Sequence, residues 1–151
     1  MQKKYGDDFR VGETFSTAAM TMTEAHVMTF SGLTGDYYPL HVDAVYAAST
    51  QFGERLVHGP FVFSLAIGLV SLSGVLADSA VAWLGAENVR MRLPVRIGDT
   101  LHVDAEVKAL KATRDSAKGV LTWNYRVVNQ RGEIVLSFDH VLLVHLRPGT
   151  S

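Results

Sequence analysis

One predicted helix has almost no polar face, and this feature most limits how the chain can fold. In the stretch HGPFVFSLAIGLVSLSG, Gly59 stands at a plausible N-cap and Pro60 at the first helical position, where the missing proline N–H is harmless. The following residues are apolar nearly all round for about 15 positions. Such a helix has to be buried on most sides, so the sequence predicts that it lies against a sheet.

The sheet is predicted by alternating apolar and polar residues from Ser79 onward. The alternation over 89–97, 101–109 and 121–127 is typical of half-buried strands. A last strand opens at Ile134 and runs to about residue 146, and its apolar parity slips after Asp139, which indicates a bulge or a segment covered on both faces. A weaker strand is expected within 13–22.

The first half of the chain is predicted to be helical with loops. A short helix is expected near 24–33, and a second is expected to begin at Asp43, whose carboxylate can cap it, and to end at Gly53. Helices followed by a run of antiparallel strands describe an α+β fold. We therefore predict one domain over 1–151, a curled antiparallel sheet wrapped around a long central apolar helix, which by analogy is the hotdog layout.

Composition excludes several classes of function. The 14 Lys and Arg against 15 Asp and Glu, with no block of like charge, argue against nucleic-acid binding. The chain has no cysteine, so disulfides and thiolate chemistry are excluded. The N-terminal MQKKYGDDFRVG does not resemble a signal peptide, and the longest apolar run is short for a membrane span. We expect a cytoplasmic protein without a membrane partner.

The segment GDYYPLH, residues 35–41, places an acid and an imidazole close together in sequence. On one helix, Asp36 and His41 would lie about 140° apart and could not cooperate. Pro39 interrupts a helix and favours an extended Tyr38, which predicts a loop over 35–41 on which both side chains can turn to one side. A carboxylate and an imidazole around one water are suited to proton transfer near pH 7. The alternative is that Asp36 caps a turn and His41 is a surface residue.

The sequence around this segment resembles the conserved pattern of a known family. The MaoC-like dehydratases, or (R)-specific enoyl-CoA hydratases, carry a pattern close to G-D-x-N-P-[LI]-H-x-D, followed by Y/F-A, F-G and [IVL]-x-H-G. The residues in register are Gly35, Asp36, Pro39, Leu40, His41, Asp43, Tyr46, Ala47, Phe52, Gly53, Val57, His58 and Gly59. RLPVRIGDTL, residues 92–101, is similar to the family's second landmark, P-V-x-x-G-D.

The resemblance implies a hotdog domain that adds water reversibly to a trans-2-enoyl-CoA. Asp36 would act as the base on the water attacking C3, and His41 would orient that water and deliver a proton to C2. The backbone N–H of Gly59 would be the oxyanion donor, which agrees with its place at a helix start. CoA would be part of the substrate, with no separate cofactor. A homodimer, and possibly a higher oligomer, is expected, with each CoA site near the subunit interface.

Four further residues are candidates for substrate binding. Tyr38 stands where the family usually has Asn, and its hydroxyl either replaces the amide or alters substrate choice. His58 either lines the pocket or is a structural residue that fixes the loop before the helix. Phe61 and Ser64, with Phe63, either line an acyl tunnel or belong to the core.

Other polar and aromatic residues are assigned less specific places. No metal is expected, because His26, His41, Asp43 and His58 lack a ligand spacing such as H-x-x-x-H. The arginines at 90, 92 and 96 either form a solvated face or meet CoA phosphates. Trp83 and Trp123 are predicted in the core, whereas His102, His140 and His145 are predicted as surface or cross-strand polar residues.

Two other functions remain compatible with the sequence. A hotdog thioesterase also needs a carboxylate and an activated water, although the G-D-x-x-P-L-H pattern argues against it. A subunit that binds acyl thioesters without catalysis would result if Tyr38 closes the water site.

Overall fold

A computed structural model describes residues 4–148 of the chain as an antiparallel sheet with helices packed against it. A single 3-10 turn, Gly6–Asp8, precedes the named elements. These are β1 (Thr14–Ser16), β2 (Met20–Thr21), α1 (Glu24–Thr34), α2 (Pro39–Val42), α3 (Ala44–Ala48), α4 (Gly59–Leu72), β3 (Ala80–Met91), β4 (Thr100–Ala112), β5 (Lys118–Val128) and β6 (Ile134–His145).

The strand order is β1-β4-β5-β6-β3, with β2 also pairing β4. The alternation in β4 and β5 places one set of side chains in the core, as the sequence predicts, and α4 lies against that set. Phe63 of α4 meets Phe138 of β6 with ring centroids 4.7 Å apart. The predicted α+β hotdog architecture is therefore confirmed. None of the helices within residues 4–148 is long and apolar enough to cross a bilayer.

Helix α4 differs from its prediction at its start and on one side. His58 is the N-cap and Gly59 the first helical residue, one position earlier than predicted. Val62, Ala66 and Val70 are buried against the sheet, but the face at Pro60, Ser64, Gly68 and Leu72 is exposed. The helix is therefore central to the fold but not covered on all sides by its own chain.

Local predictions in the first half are mostly confirmed. Helix α1 has the expected position, and the Asp43 carboxylate accepts hydrogen bonds from two backbone N–H groups at the start of α3. The prediction of a loop over 35–41 is wrong from Pro39 onward, because Pro39 begins the helical turn α2 instead of preventing a helix. Proline suits a first helical position, and Tyr38 before it is extended as predicted.

The edge strand β3 corrects two further predictions. It spans Ala80–Met91 and ends before Pro94, whereas the sequence predicts a strand through 97; proline has no N–H to continue the ladder. Trp83 is 59% exposed, so its assignment to the core is wrong, while Trp123 is fully buried as predicted. An apolar residue on a strand with one open edge can alternate in the sequence just as a core residue does.

Of the two places predicted for His140, the structure supports the cross-strand one and not the surface one. His140 is buried, and its Nδ1 lies 3.1 Å from the Tyr125 hydroxyl. The neighbouring Asp139 is buried on the other face of β6 and accepts hydrogen bonds from Asn88, Asn124 and Lys108. The slipped parity after Asp139 thus marks a segment covered on both faces, and the β5–β6 pairing stays in register there.

Candidate active site

Asp36 is placed by the end of α1. Gly35 ends that helix in the left-handed region, at φ 78°, which favours glycine. The Asp36 N–H donates to the Thr34 hydroxyl at 3.2 Å, and the Asp36 carboxylate accepts the Tyr38 N–H at 3.3 Å. The chain therefore reverses within three residues and presents a half-buried carboxylate.

His41 is held by the loop that precedes α4. Its Nδ1 lies 2.8 Å from the carbonyl oxygen of Leu56. A carbonyl can only accept, so Nδ1 carries the proton, and in the neutral ring Nε2 has a free lone pair. Leu56 is itself fixed, because its N–H donates to the Leu40 carbonyl and it forms an isolated bridge with Arg96.

His58 lies under His41 as a buried support. The two imidazole rings stack with centroids 3.9 Å apart, and Phe30 contacts His58 at 4.9 Å. The His58 Nε2 lies 3.0 Å from the backbone carbonyl of Asp36 and 3.2 Å from the Ser31 hydroxyl. Burial lowers the pKa of His58, and the hydrogen bond to the Asp36 carbonyl offsets this lowering only in part. A neutral His58 thus braces both the peptide of Asp36 and the ring of His41.

The polar atoms of Asp36, His41 and His58 converge. One ligand-type atom from each lies within 4.8 Å of the others, so the two side chains separated by Pro39 do reach a common point. The spacing alone would suit a cation as well as a water. The His58 Nε2 lies on the Asp36 carbonyl, which can only accept, so in the neutral ring this nitrogen carries a proton and is not free to bind a metal. This hydrogen bond favours a water over a metal at the site.

The amide of Gly59 lies beside these groups. As the first residue of α4 it has no acceptor within the helix, and the positive end of the helix dipole lies behind it. His41 and Gly59 line one cavity of about 320 Å³, which we call the His41 cavity; Leu56, Arg92 and Val95 also contribute to it.

A second cavity of about 340 Å³ also opens at Gly59, and we call it the apolar cavity. Pro60, Phe63, Val89 and Leu136 line it, and Met91 lies in the walls of both cavities. The sequence indicated Phe63 as a candidate but missed Val89, Met91 and Leu136. The only sequence signal for Val89 and Met91 is that they stand just before the P-V-x-x-G-D landmark, and Leu136 has no such signal.

That landmark has a structural explanation. The Asp99 carboxylate accepts hydrogen bonds from the Arg96 N–H, from Gln130 and from Arg131. Burial by itself would raise the pKa of Asp99, but these hydrogen bonds and the Arg131 charge hold it below its ordinary value. Asp99 therefore fixes the turn that carries Val95 into the His41 cavity.

Of the remaining candidates, Tyr38 lies at the edge of this convergence, with its ring centroid 6.3 Å from that of His41, and Phe61 and Ser64 lie outside it. The Tyr38 hydroxyl lies 3.5 Å from that of Tyr46, and the side chain is exposed. Phe61 contacts Phe30 and His26 on α1, and the Ser64 hydroxyl donates to the Pro60 carbonyl. Phe61 and Ser64 line neither of the two cavities, so their role in substrate binding stays a prediction.

Comparisons with known proteins identify the family of this chain. The family model described as "MaoC like domain" matches residues 8–129. Protein MaoC of Klebsiella aerogenes is 38% identical over 82% of this chain, which spans only 37% of that protein's length. An (R)-specific enoyl-CoA hydratase of Aeromonas caviae is 33% identical, with 78% of this chain and 83% of the hydratase aligned.

A solved structure has the same fold. A protein from Archaeoglobus described as a monoamine oxidase regulatory protein superimposes with a TM-score of 0.90 at 35% identity, with 96% of each chain covered.

Proposed function

Because this chain belongs to the MaoC-like domain family of hotdog-fold proteins, we propose that it is a hydro-lyase that reversibly hydrates a trans-2-enoyl-CoA to an (R)-3-hydroxyacyl-CoA. The observation that carries the proposal is the convergence of Asp36 and His41 beside the free amide of Gly59. Relatives named as hydratases and dehydratases of CoA thioesters support the reaction class.

The proposed step uses both side chains around one water. Asp36 takes a proton from the water as its oxygen bonds to C3, and the electron pair of the double bond moves toward the thioester. His41, protonated at Nε2, gives that proton to C2. The proton on Asp36 then returns to His41, so that both groups are restored. The Nδ1–H of His41 stays on Leu56 throughout, which keeps the ring in one orientation.

The Gly59 amide would stabilise the enolate oxygen that forms on the thioester. Loss of one such donor typically lowers the rate by about 10² to 10³. A thioester carbonyl at Gly59 would have C2 and C3 within the cavity that Gly59 shares with His41, which supports this pose. The Tyr38 hydroxyl lies near the Tyr46 hydroxyl, and only the Tyr38 backbone N–H is hydrogen-bonded to the Asp36 carboxylate, which supports a water site that the phenol leaves open.

A homodimer through β3 is part of the proposal. In the sheet formed by residues 4–148, β3 is an edge strand twelve residues long, whereas β1 at the other edge has three. It exposes Val81, Trp83, Leu84 and Val89, and an apolar open edge favours pairing with another chain. Both cavities also touch this edge, so a second copy would lie beside the substrate.

A panel of trans-2-enoyl-CoA substrates tests the function. We expect loss of the absorbance of the conjugated double bond and formation of the (R)-alcohol. Release of free CoA thiol without hydration of crotonyl-CoA would instead identify a thioesterase. Binding of acyl-CoA with no turnover at any chain length would identify a non-catalytic binding subunit.

A further inference from the structure

We propose that Met91 sets the acyl-chain length that this protein accepts, by separating the His41 cavity from the apolar cavity. The inference rests on the proposed function for its substrate, an acyl-CoA, and assigns a selectivity-determining role to a residue outside the acid–imidazole pair.

The position of Met91 is defined by Gly59. A Cβ added to Gly59 would lie 3.5 Å from the Met91 Cγ and 3.7 Å from its Sδ, which are ordinary contact distances. Gly59 and Met91 are also the two residues that both cavities share. The Met91 side chain therefore lies beside the Cα of Gly59, the residue whose amide would hold the thioester oxygen, at the boundary between the two cavities.

The two cavities differ in chemistry. The His41 cavity contains an imidazole and the guanidinium-bearing Arg92 in its wall. The apolar cavity is lined by Phe63, Val89 and Leu136 and carries no charged side chain. Reaction at C2 and C3 has to occur near His41, so only carbons further along the chain can enter the apolar cavity. That cavity suits the hydrocarbon tail of an acyl chain.

Met91 is suited to act as a movable partition. Methionine is unbranched and has three rotatable side-chain bonds, so it changes shape at low energetic cost. It is the last residue of β3, and 44% of it is exposed. Short enoyl chains would fit without moving it, whereas longer chains would have to displace it to reach the apolar cavity.

Two substitutions change the partition in opposite directions. Met91→Ala would join the cavities and favour long chains, and Met91→Phe would replace the flexible side chain with a rigid, wider one and favour short chains. Met28→Ala is the matched control, because Met28 is similarly exposed at 42% but lies on α1.

The experiment measures kcat/KM for trans-2-enoyl-CoA of four, six, eight, ten and twelve carbons. We expect Met91→Ala to raise the ratio of the ten-carbon to the four-carbon value by about tenfold, the effect of a few methylenes gained in an apolar pocket. Met91→Phe should lower that ratio, and Met28→Ala should leave it unchanged. Size-exclusion chromatography verifies that each variant keeps the wild-type oligomeric state.

The outcomes separate this inference from the proposed function. If the wild type hydrates enoyl-CoA but neither Met91 substitution alters the chain-length profile, the inference is overturned and the function stands. A shift found only in a variant with an altered oligomeric state would also overturn it. If the wild type hydrates nothing, the function fails, and the inference is decided by calorimetric binding of saturated acyl-CoA of the same lengths to the same variants.

Discussion

The imidazole ring of His41 stacks on that of His58, with centroids 3.9 Å apart and planes 27° from parallel. Each of the two imidazoles has one nitrogen within 4.8 Å of an Asp36 carboxylate oxygen; His41 is half-buried, whereas His58 is fully buried and its burial lowers its pKa. A neutral ring beneath His41 would allow it to take up a proton without repulsion from a second cation. Under the proposed function, His41 is therefore the ring that exchanges protons and His58 the ring that supports it.

Asp36→Asn and His41→Ala should each lower kcat by about 10² to 10⁴, because each removes one of the two groups that move protons. Steady-state hydration of the best enoyl-CoA measures the effect, and urea unfolding verifies that the fold survives. Asp78→Asn and His145→Ala, at exposed positions elsewhere, are controls expected to keep full activity. Near-full hydratase activity in Asp36→Asn or His41→Ala would remove the assignment.

His58→Ala should reduce the free energy of unfolding by about 2 to 4 kcal/mol, since it leaves a cavity in the core and an unpaired carbonyl at Asp36. Ser31→Ala removes a single hydrogen bond to the same ring and should cost about 1 kcal/mol. Urea denaturation at pH 7 measures both. Equal stability of the two variants would show that the buried ring is not a support.

Gly59→Ala should fold normally and lose activity. The added methyl finds ordinary contact distances to Met91, so the fold accepts it, but it occupies the junction of both cavities and obstructs the thioester. We expect kcat/KM to fall by at least about tenfold. Gly68→Ala is the control within α4, because a Cβ there meets nothing within 4 Å. Full activity of Gly59→Ala would contradict this position for the substrate.

Stability should fall below about pH 6.5 because of His140. Burial lowers the pKa of His140 from 6.5 to about 4, so the unfolded chain binds the proton first as pH falls. The native state is therefore favoured above the ordinary pKa and loses about 2 kcal/mol between pH 7 and pH 5 from this group. Urea unfolding at both pH values, at one protein concentration, should show a smaller difference in His140→Gln. An unchanged difference would refute the assignment.

Trp83→Asp should convert the proposed dimer to a monomer, because it places a charge on the exposed apolar edge of β3. Analytical ultracentrifugation measures the mass of wild type and variant at equal concentration. Val11→Asp, also at an exposed apolar position but before β1, should leave the mass unchanged. A dimeric Trp83→Asp variant would show that the chains associate elsewhere.

The sequence predicted the parts of the fold that depend on periodicity or on a local cap. The alternation in β4 and β5, the start of α1 and the Asp43 cap are examples. It could not predict which strand lies at an edge, because Trp83 alternates like a core residue. For His140 the sequence left a surface and a cross-strand position open, because the choice depends on a distant partner, Tyr125, that no local pattern reveals.

The sequence predicted the part of the candidate site that lies in one short stretch, but not the part that tertiary pairing adds. Asp36, His41 and Gly59 lie within one short stretch whose pattern is specific. Met91 joins them only through tertiary pairing, since Leu56 meets Arg96 and the Val57 N–H donates to the Val95 carbonyl. No spacing in the sequence encodes that contact. Pro39 shows a different limit, because proline both stops and starts helices and the sequence alone favoured the first interpretation.

That tertiary pairing has an evolutionary consequence. The groups proposed to move protons come from residues 36–59, whereas Val89, Met91 and Val95 come from a separate stretch that pairs with the first at Leu56 and Val57. Under the proposed function, mutations in 89–95 would diversify the range of substrates while the reaction itself is inherited unchanged.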